Sequence, residues 1–195
     1  AAQVKLLMQG FYNSGTNRLS MRDTVRAYLR NNTTPFAIVD SAKSVIDSLT
    51  FNCSFLFGNA PTGTYYIQLK HRNSLETWSK TGGQSYTAGS VLNYDFTTSA
   101  SQAYGSNMIQ KGTKFCIYSG DVDQEGNIDV ADVVAIFNDV NNFAAGYIVT
   151  DVNGDLIADV ADVVIAYNNS INFVTKNTPL TPPSAPHVKE TRVEN

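Results

Sequence analysis

The stretch from Asp121 to Asp132, DVDQEGNIDVAD, returns thirty residues later as DVNGDLIADVAD, Asp151 to Asp162. Asp121 falls on Asp151, Asp123 on Asn153, Glu125 on Asp155, Asp129 on Asp159 and Asp132 on Asp162. Acidic or amide side chains at positions 1, 3, 5, 9 and 12 of a loop are the pattern that wraps calcium, a hard cation that takes several oxygens in flexible geometry. Position 6 needs a sharp turn, and Gly126 enters positive φ without a Cβ penalty. Position 7 contributes only a carbonyl, so Asn127 and Ile157 need no particular side chain. Leu156 stands at position 6 of the second copy, where a branched apolar residue is strained at positive φ. The second site is therefore expected to be weaker or rearranged.

Each loop runs into an amphipathic helix. Val130, Val133, Val134 and Phe137 fall at i, i+3, i+4 and i+7, as do Val160, Val163, Val164 and Tyr167. Asp132 and Asp162 lie in the first turn, where the helix dipole favours a carboxylate. The repeat continues through DVADVVAIFN over DVADVVIAYN and Asn142-Phe143 over Asn172-Phe173.

A loop plus its exit helix, duplicated without an entry helix of ordinary length, resembles the type I dockerin module of secreted, assembly-forming bacterial proteins. The resemblance covers Ser119 to Phe173, under a third of the chain. It implies two antiparallel loop–helix units, two calcium ions, and docking onto the β-sandwich cohesin module of a partner. Carried over by position, the first ligand set is Asp121, Asp123, Glu125, Asn127 (carbonyl), Asp129 and Asp132. The second is Asp151, Asn153, Asp155, Ile157 (carbonyl), Asp159 and Asp162. Dockerins are read by loop positions 10 and 11 and the helix that follows. The implied partner-binding residues are thus Val130, Ala131, Phe137 and Asn138 with Val160, Ala161, Tyr167 and Asn168. Val-Ala replaces the small hydroxyl pair common in the group, so ordinary cohesin recognition is not expected unchanged.

Residues 1–118 carry no such motif. The runs VKLLMQGFY, TVRAYLR, FAIVD, SLTFNCSFLF, TYYIQLKHR, ETWS, SVLNYDF and TKFCIY are rich in β-branched and aromatic residues between polar or glycine punctuation. They predict an antiparallel β-sandwich, immunoglobulin-like or prealbumin-like. In the Ser48–Phe57 run, Leu49, Phe51, Cys53, Phe55 and Phe57 should share one face. The fold class expected is mainly β plus a small α part: a sandwich over 1–118, a dockerin-like calcium module over 119–175 and a Pro-rich tail over 176–195. Cys53 and Cys116, the only cysteines, could pair across the sandwich or stay as separate buried thiols.

Charge divides the chain the same way. Residues 1–114 hold eleven Lys/Arg against five Asp/Glu, whereas 115–175 hold ten acids and no base. Two calcium ions would leave that segment at a net charge of −6. Such polarity favours contact between the basic sandwich of one copy and the acidic module of another.

No G-x-S-x-G elbow, H-E-x-x-H or C-x-x-C pair occurs, and the close acidic pairs are spoken for by metal, so no enzyme is expected. His71 and His187 read as solvated side chains. Tyr65, Tyr66 and Trp78 read as core aromatics rather than a sugar platform. No phosphate loop or basic-aromatic groove points to nucleic acid, and no run is long enough to span a membrane. Ala1-Ala2-Gln3 reads as a mature terminus after signal-peptide removal, hence a secreted or cell-surface location. The Pro-rich end requires something to hold it if it is ordered. The expected function is a secreted, non-enzymatic, calcium-binding assembly protein. Its module would dock on a β-sandwich, that of the next identical copy, and a head-to-tail contact that does not close would build a filament. The alternatives are an adaptor that binds a foreign cohesin-like partner and, third, a carbohydrate-binding sandwich.

Overall fold

Period-two patterning puts Val25, Ala27 and Leu29 on one side of Thr24–Asn31, and Ile67 and Leu69 on one side of Gly63–His71. In the computed structural model, which describes residues 1–180, all five are fully buried. In chain order the strands are β1 (Ala2–Lys5), β2 (Tyr12–Asn13), β3 (Arg18–Leu19), β4 (Thr24–Asn31), β5 (Ile38–Val45) and β6 (Asn52–Phe55). They continue as β7 (Gly63–His71), β8 (Ser74–Trp78), β9 (Gln84–Tyr86), β10 (Leu92–Asp95), β11 (Ile109–Lys111) and β12 (Lys114–Cys116). Two helices follow, α1 (Val130–Asn141) and α2 (Val160–Ser170).

One sheet runs β10–β1–β6 and a larger one β5–β4–β7–β8, with β9 also on β7, while β2–β3 and β11–β12 form two-stranded ladders. The larger sheet is antiparallel throughout. The smaller departs from the all-antiparallel expectation, because β1 pairs antiparallel with β6 but parallel with β10. A parallel neighbour needs a long crossover, which the intervening chain supplies. Val4, Cys53, Phe55 and Tyr94 from the smaller sheet meet Val25, Leu29, Tyr65, Ile67 and Leu69 from the larger in one core.

Two expected strands are cut short. Of the Val4–Tyr12 run only the two ends are strand; Leu6, Leu7 and Met8 are buried, and Met8 makes a lone parallel bridge to Ile117. Before β6, Asp47 accepts from the amides of Leu49 and Thr50 and closes a turn, and Phe51 sits at φ 63°. Leu49 therefore points to solvent, while Phe51, Cys53, Phe55 and Phe57 face the core as the alternation predicts. Tyr65, Tyr66 and Trp78 are buried, so none offers a ring to a sugar. His71 corrects its expectation outright: it is buried at 3% exposure. The cysteines are separate buried thiols, each pushed up to about 12 by burial.

The loop–helix part has a small core of its own, in which Val122, Val133 and Ile136 meet their repeat equivalents Val152, Val163 and Ala166. Ala166 is the small member because Gly120 and Ile128 already fill that side. Residues 181–195, including His187 and most of the Pro-rich tail, lie outside the described residues.

Candidate functional site

Both loops are built by the same local hydrogen bonds. Asp129 caps α1 by accepting from the Ala131 amide, and Asp132 reaches back to the Asp129 amide at 2.9 Å, a capping box. Asp159 and Asp162 repeat it at α2, again at 2.9 Å. The other oxygen of Asp132 accepts from the Val122 amide at 2.8 Å, and that of Asp162 from Val152 at 2.7 Å. Position 12 is thus oriented inward by the backbone of its own loop before any cation is considered.

Asp121, Asp132, Asp151 and Asp162 are buried, whereas Asp123, Glu125, Asp129, Asp155 and Asp159 are exposed. Asp121, Asp123 and Asp132 each offer an oxygen within 4.8 Å of the others. Burial, reinforced by Asp132 and Asp123, pushes Asp121 up to about 7. Burial likewise raises Asp132, and lifts Asp162 to about 6 with help from Asp151. These are anions short of positive charge, and the donors are all oxygen. That set fits a hard divalent cation.

The backbone turns at positions 4 and 6 of both loops. Gln124 and Gly126 have φ of 63° and 96°, and Gly154 and Leu156 have 75° and 71°. Each loop therefore has one glycine, placed at a different corner, and Leu156 holds the strained conformation its position implied. Each loop is also sewn to the chain after the other loop's helix. The Ile128 amide donates to Val174 O and that of Lys176 to Gly126 O, both at 2.8 Å. In mirror fashion Ala158 donates to Ala144 O at 2.9 Å and Gly146 to Leu156 O at 2.8 Å.

The symmetry ends at the β domain. In the hairpin turn between β7 and β8, Arg72 donates from Nη2 to Asp151 Oδ2 at 3.2 Å and from Nε to Asp23 Oδ2 at 2.8 Å. Its guanidinium lies 4.5 Å from the centre of the Tyr147 ring, and the Tyr147 hydroxyl donates to Asp23. Asn73 donates to Asp151 O at 2.6 Å, and Ser20 to Asn153 O at 2.6 Å. A side chain at Gly10 would place its Cβ 2.1 Å from Val152 O, so only glycine fits against the loop there. Burial works to raise Asp23, but bonds from His71, Tyr147 and Arg72 outweigh it and hold the carboxyl well below the usual range. The first loop's link to the β domain is slighter, Gln124 to Ser74 O at 3.2 Å. Sequence reasoning found the acidic positions but missed Arg72, because nothing in its local sequence separates it from any hairpin arginine.

Ser74, His71 and Asp23 form a hydrogen-bonded chain of 2.9 and 3.0 Å that has the composition of a hydrolase triad. Ser74 is fully buried, so its hydroxyl meets no substrate, and the chain acts as a structural tie.

All eight implied partner-binding residues are exposed. Val130 and Val160 are 71% and 66% accessible, and Val134, Phe137, Val164 and Tyr167 are also out in solvent. The inner faces, through Val133, Ile136 and Val163, already fill the small core, and so slight a module has nothing left with which to cover the outer ones. Among the described residues no helix is long and apolar enough to cross a membrane.

No family model matches the chain, and no curated protein matches it. Among solved structures it is similar to a chain of the C-terminal interface mutant of a type II Cohesin-X-Dockerin complex from Acetivibrio cellulolyticus. The identity is 17%, the match covers 87% of this chain and 94% of that one, and the TM-score is 0.50. A chain of the N-terminal interface mutant of that complex matches at 18% identity over 87% and 96%, with a TM-score of 0.49. At this identity the first likeness shows a shared fold, with its β-sandwich.

Proposed function

We propose that the chain is a secreted, non-enzymatic assembly protein with a dockerin-like calcium module, which docks through the outer face of α1 and α2 onto the β-sandwich of the next copy. The observation that carries this is the pair of repeat-related apolar faces left exposed over two oxygen-lined loops. Calcium would neutralise buried carboxylates that otherwise repel, and so hold both loops and helix starts in place. Asp121, Asp123, Glu125, Asp129 and Asp132, with the Asn127 carbonyl, would hold one ion. Asp151, Asn153, Asp155, Asp159 and Asp162, with the Ile157 carbonyl, would hold the other. Repetition of one contact from copy to copy, without closure, makes a filament.

The fold likeness supports a module joined to a sandwich, since residues 1–118 are too few to make up 87% of this chain. It also favours a second reading, in which the partner is a foreign β-sandwich of the cohesin kind, because the matched chain comes from a cohesin–dockerin complex. Sedimentation of the purified chain with calcium, after chelation, and as V134E/V164E tests both. Calcium-dependent oligomers lost in the variant are expected. A monomer at every concentration in calcium rejects self-docking and directs the search to a foreign sandwich. Failure of either loop to bind calcium rejects the metal.

A further inference from the structure

The register of the larger sheet sets three cations in one row. Arg26 of β4 stands opposite Lys43 of β5 on one side and Lys70 of β7 on the other. Paired residues project from the same face, so all three lie on the outer face, opposite to Val25, Ala27 and Leu29. Like charges directly across from each other destabilise a sheet. Only Lys70 has an ion pair, to Glu76 at 3.0 Å; among the described residues Arg26 and Lys43 have none, and Arg26 instead donates to the Tyr28 hydroxyl at 3.3 Å with its guanidinium 5.9 Å from that ring's centre. A lysine on an edge strand such as β5 is a common guard against edge-to-edge pairing. That accounts for Lys43 but not for Arg26, whose strand is paired on both sides. Both cations are exposed, and apolar side chains frame them on the same face: Ile38 opposite Arg30, Val45 opposite Thr24, and Tyr28.

The same chain carries the complement. Residues 115–175 have ten acids and no base, and the exposed Asp129 and Asp159 adjoin the exposed Val130 and Val160. The chain's own module does not use the row, since it meets its β domain at Ser20, Arg72 and Asn73. We infer that the outer face of β5–β4–β7, centred on Arg26 and Lys43, is the seat for the loop–helix module of a second copy. The two cations face the acidic helix starts, and Ile38, Val45 and Tyr28 meet the valine and aromatic face. This rests on the self-docking reading above and adds its receptor.

The test is sedimentation of the full chain in calcium over a concentration series, with melting of each variant. R26E/K43E is expected to weaken assembly by at least about tenfold, since it sets acid against acid, and R26T/K43T by less. Because R26T/K43T removes the opposed charges, it should melt no lower than wild type, which separates a lost contact from a lost fold. Assembly unchanged in R26E/K43E overturns the inference and leaves docking by the helix face standing. Weaker assembly that tracks lower melting in both variants also overturns it. A wild-type chain that stays monomeric in calcium sinks the inference and the self-docking reading together.

Discussion

The two loops are near-copies in sequence and differ in what they face. Loop 121–132 has its three gathered carboxylates and one side-chain contact to the β domain, through Gln124. Loop 151–162 has Asn153 where the first has an acid, and the β domain grips it at Asp151, Val152 and Asn153. Arg72, 3.2 Å from Asp151 Oδ2, is a counter-charge for Asp151 that none of the described residues provides for Asp121. One loop is compensated in part by protein; the other gathers its acids with no such partner among the described residues. Duplication supplies equal chemistry, and the neighbouring domain makes it unequal.

Chelation should break the comparison most severely. Calcium at about a thousand times its dissociation constant stabilises by about 4 kcal/mol, so removal should lower the melting temperature and helical circular dichroism. Amide exchange should rise first in the first loop and α1, which the β domain supports less. Equal exchange in both loops would mean that the β domain's grip on loop 151–162 gives it no extra stability. R72A comes next. It strips buried Asp23 and Asp151 of a shared partner, at a cost of about 3 kcal/mol, and in a terbium titration it should change the second loop's affinity while sparing the first.

Leu156→Asn should move the loops closer together. Asparagine tolerates positive φ, so about 1 kcal/mol of strain is released. Chemical denaturation should show the gain, and isothermal titration a second site nearer to the first.

The smallest effect is one of pH. Burial lowers the His71 pKa below that of an ordinary histidine, although Asp23 partly opposes this. Folding thus favours the neutral ring, so the stability it contributes is present above pH about 6.5 and drains as pH falls below that value. Melting in saturating calcium should drop by a few degrees between about pH 7 and 5.5, and less in His71→Gln. Because His71 holds Asp23, which holds Arg72, the loosening should register at the second loop before the first.

Much of the site was legible because its logic is local. A carboxylate every second residue, a capping box and a period of 3.6 are properties of short stretches, so Asp121 to Asp132 and its copy could be read one after the other. Strand ends were less legible. The turn at Asp47 and the positive φ of Phe51 shorten a run whose alternation looked unbroken. His71 was misjudged because a lone histidine in a polar stretch carries no sign of the aspartate that will bury it.

By itself, then, the sequence determined the duplicated oxygen-rich loops, the helices they start, the strained corner at Leu156 and the acidic character of 115–175. All of these follow from residues close together in the chain. Only the tertiary structure decided that β1 lies parallel to β10, that Arg72 meets Asp151, that the helix faces stay open, and that Lys43, Arg26 and Lys70 form a row. Each depends on register and on contacts between residues far apart in sequence, whose pairing is settled when the whole chain competes for one buried core.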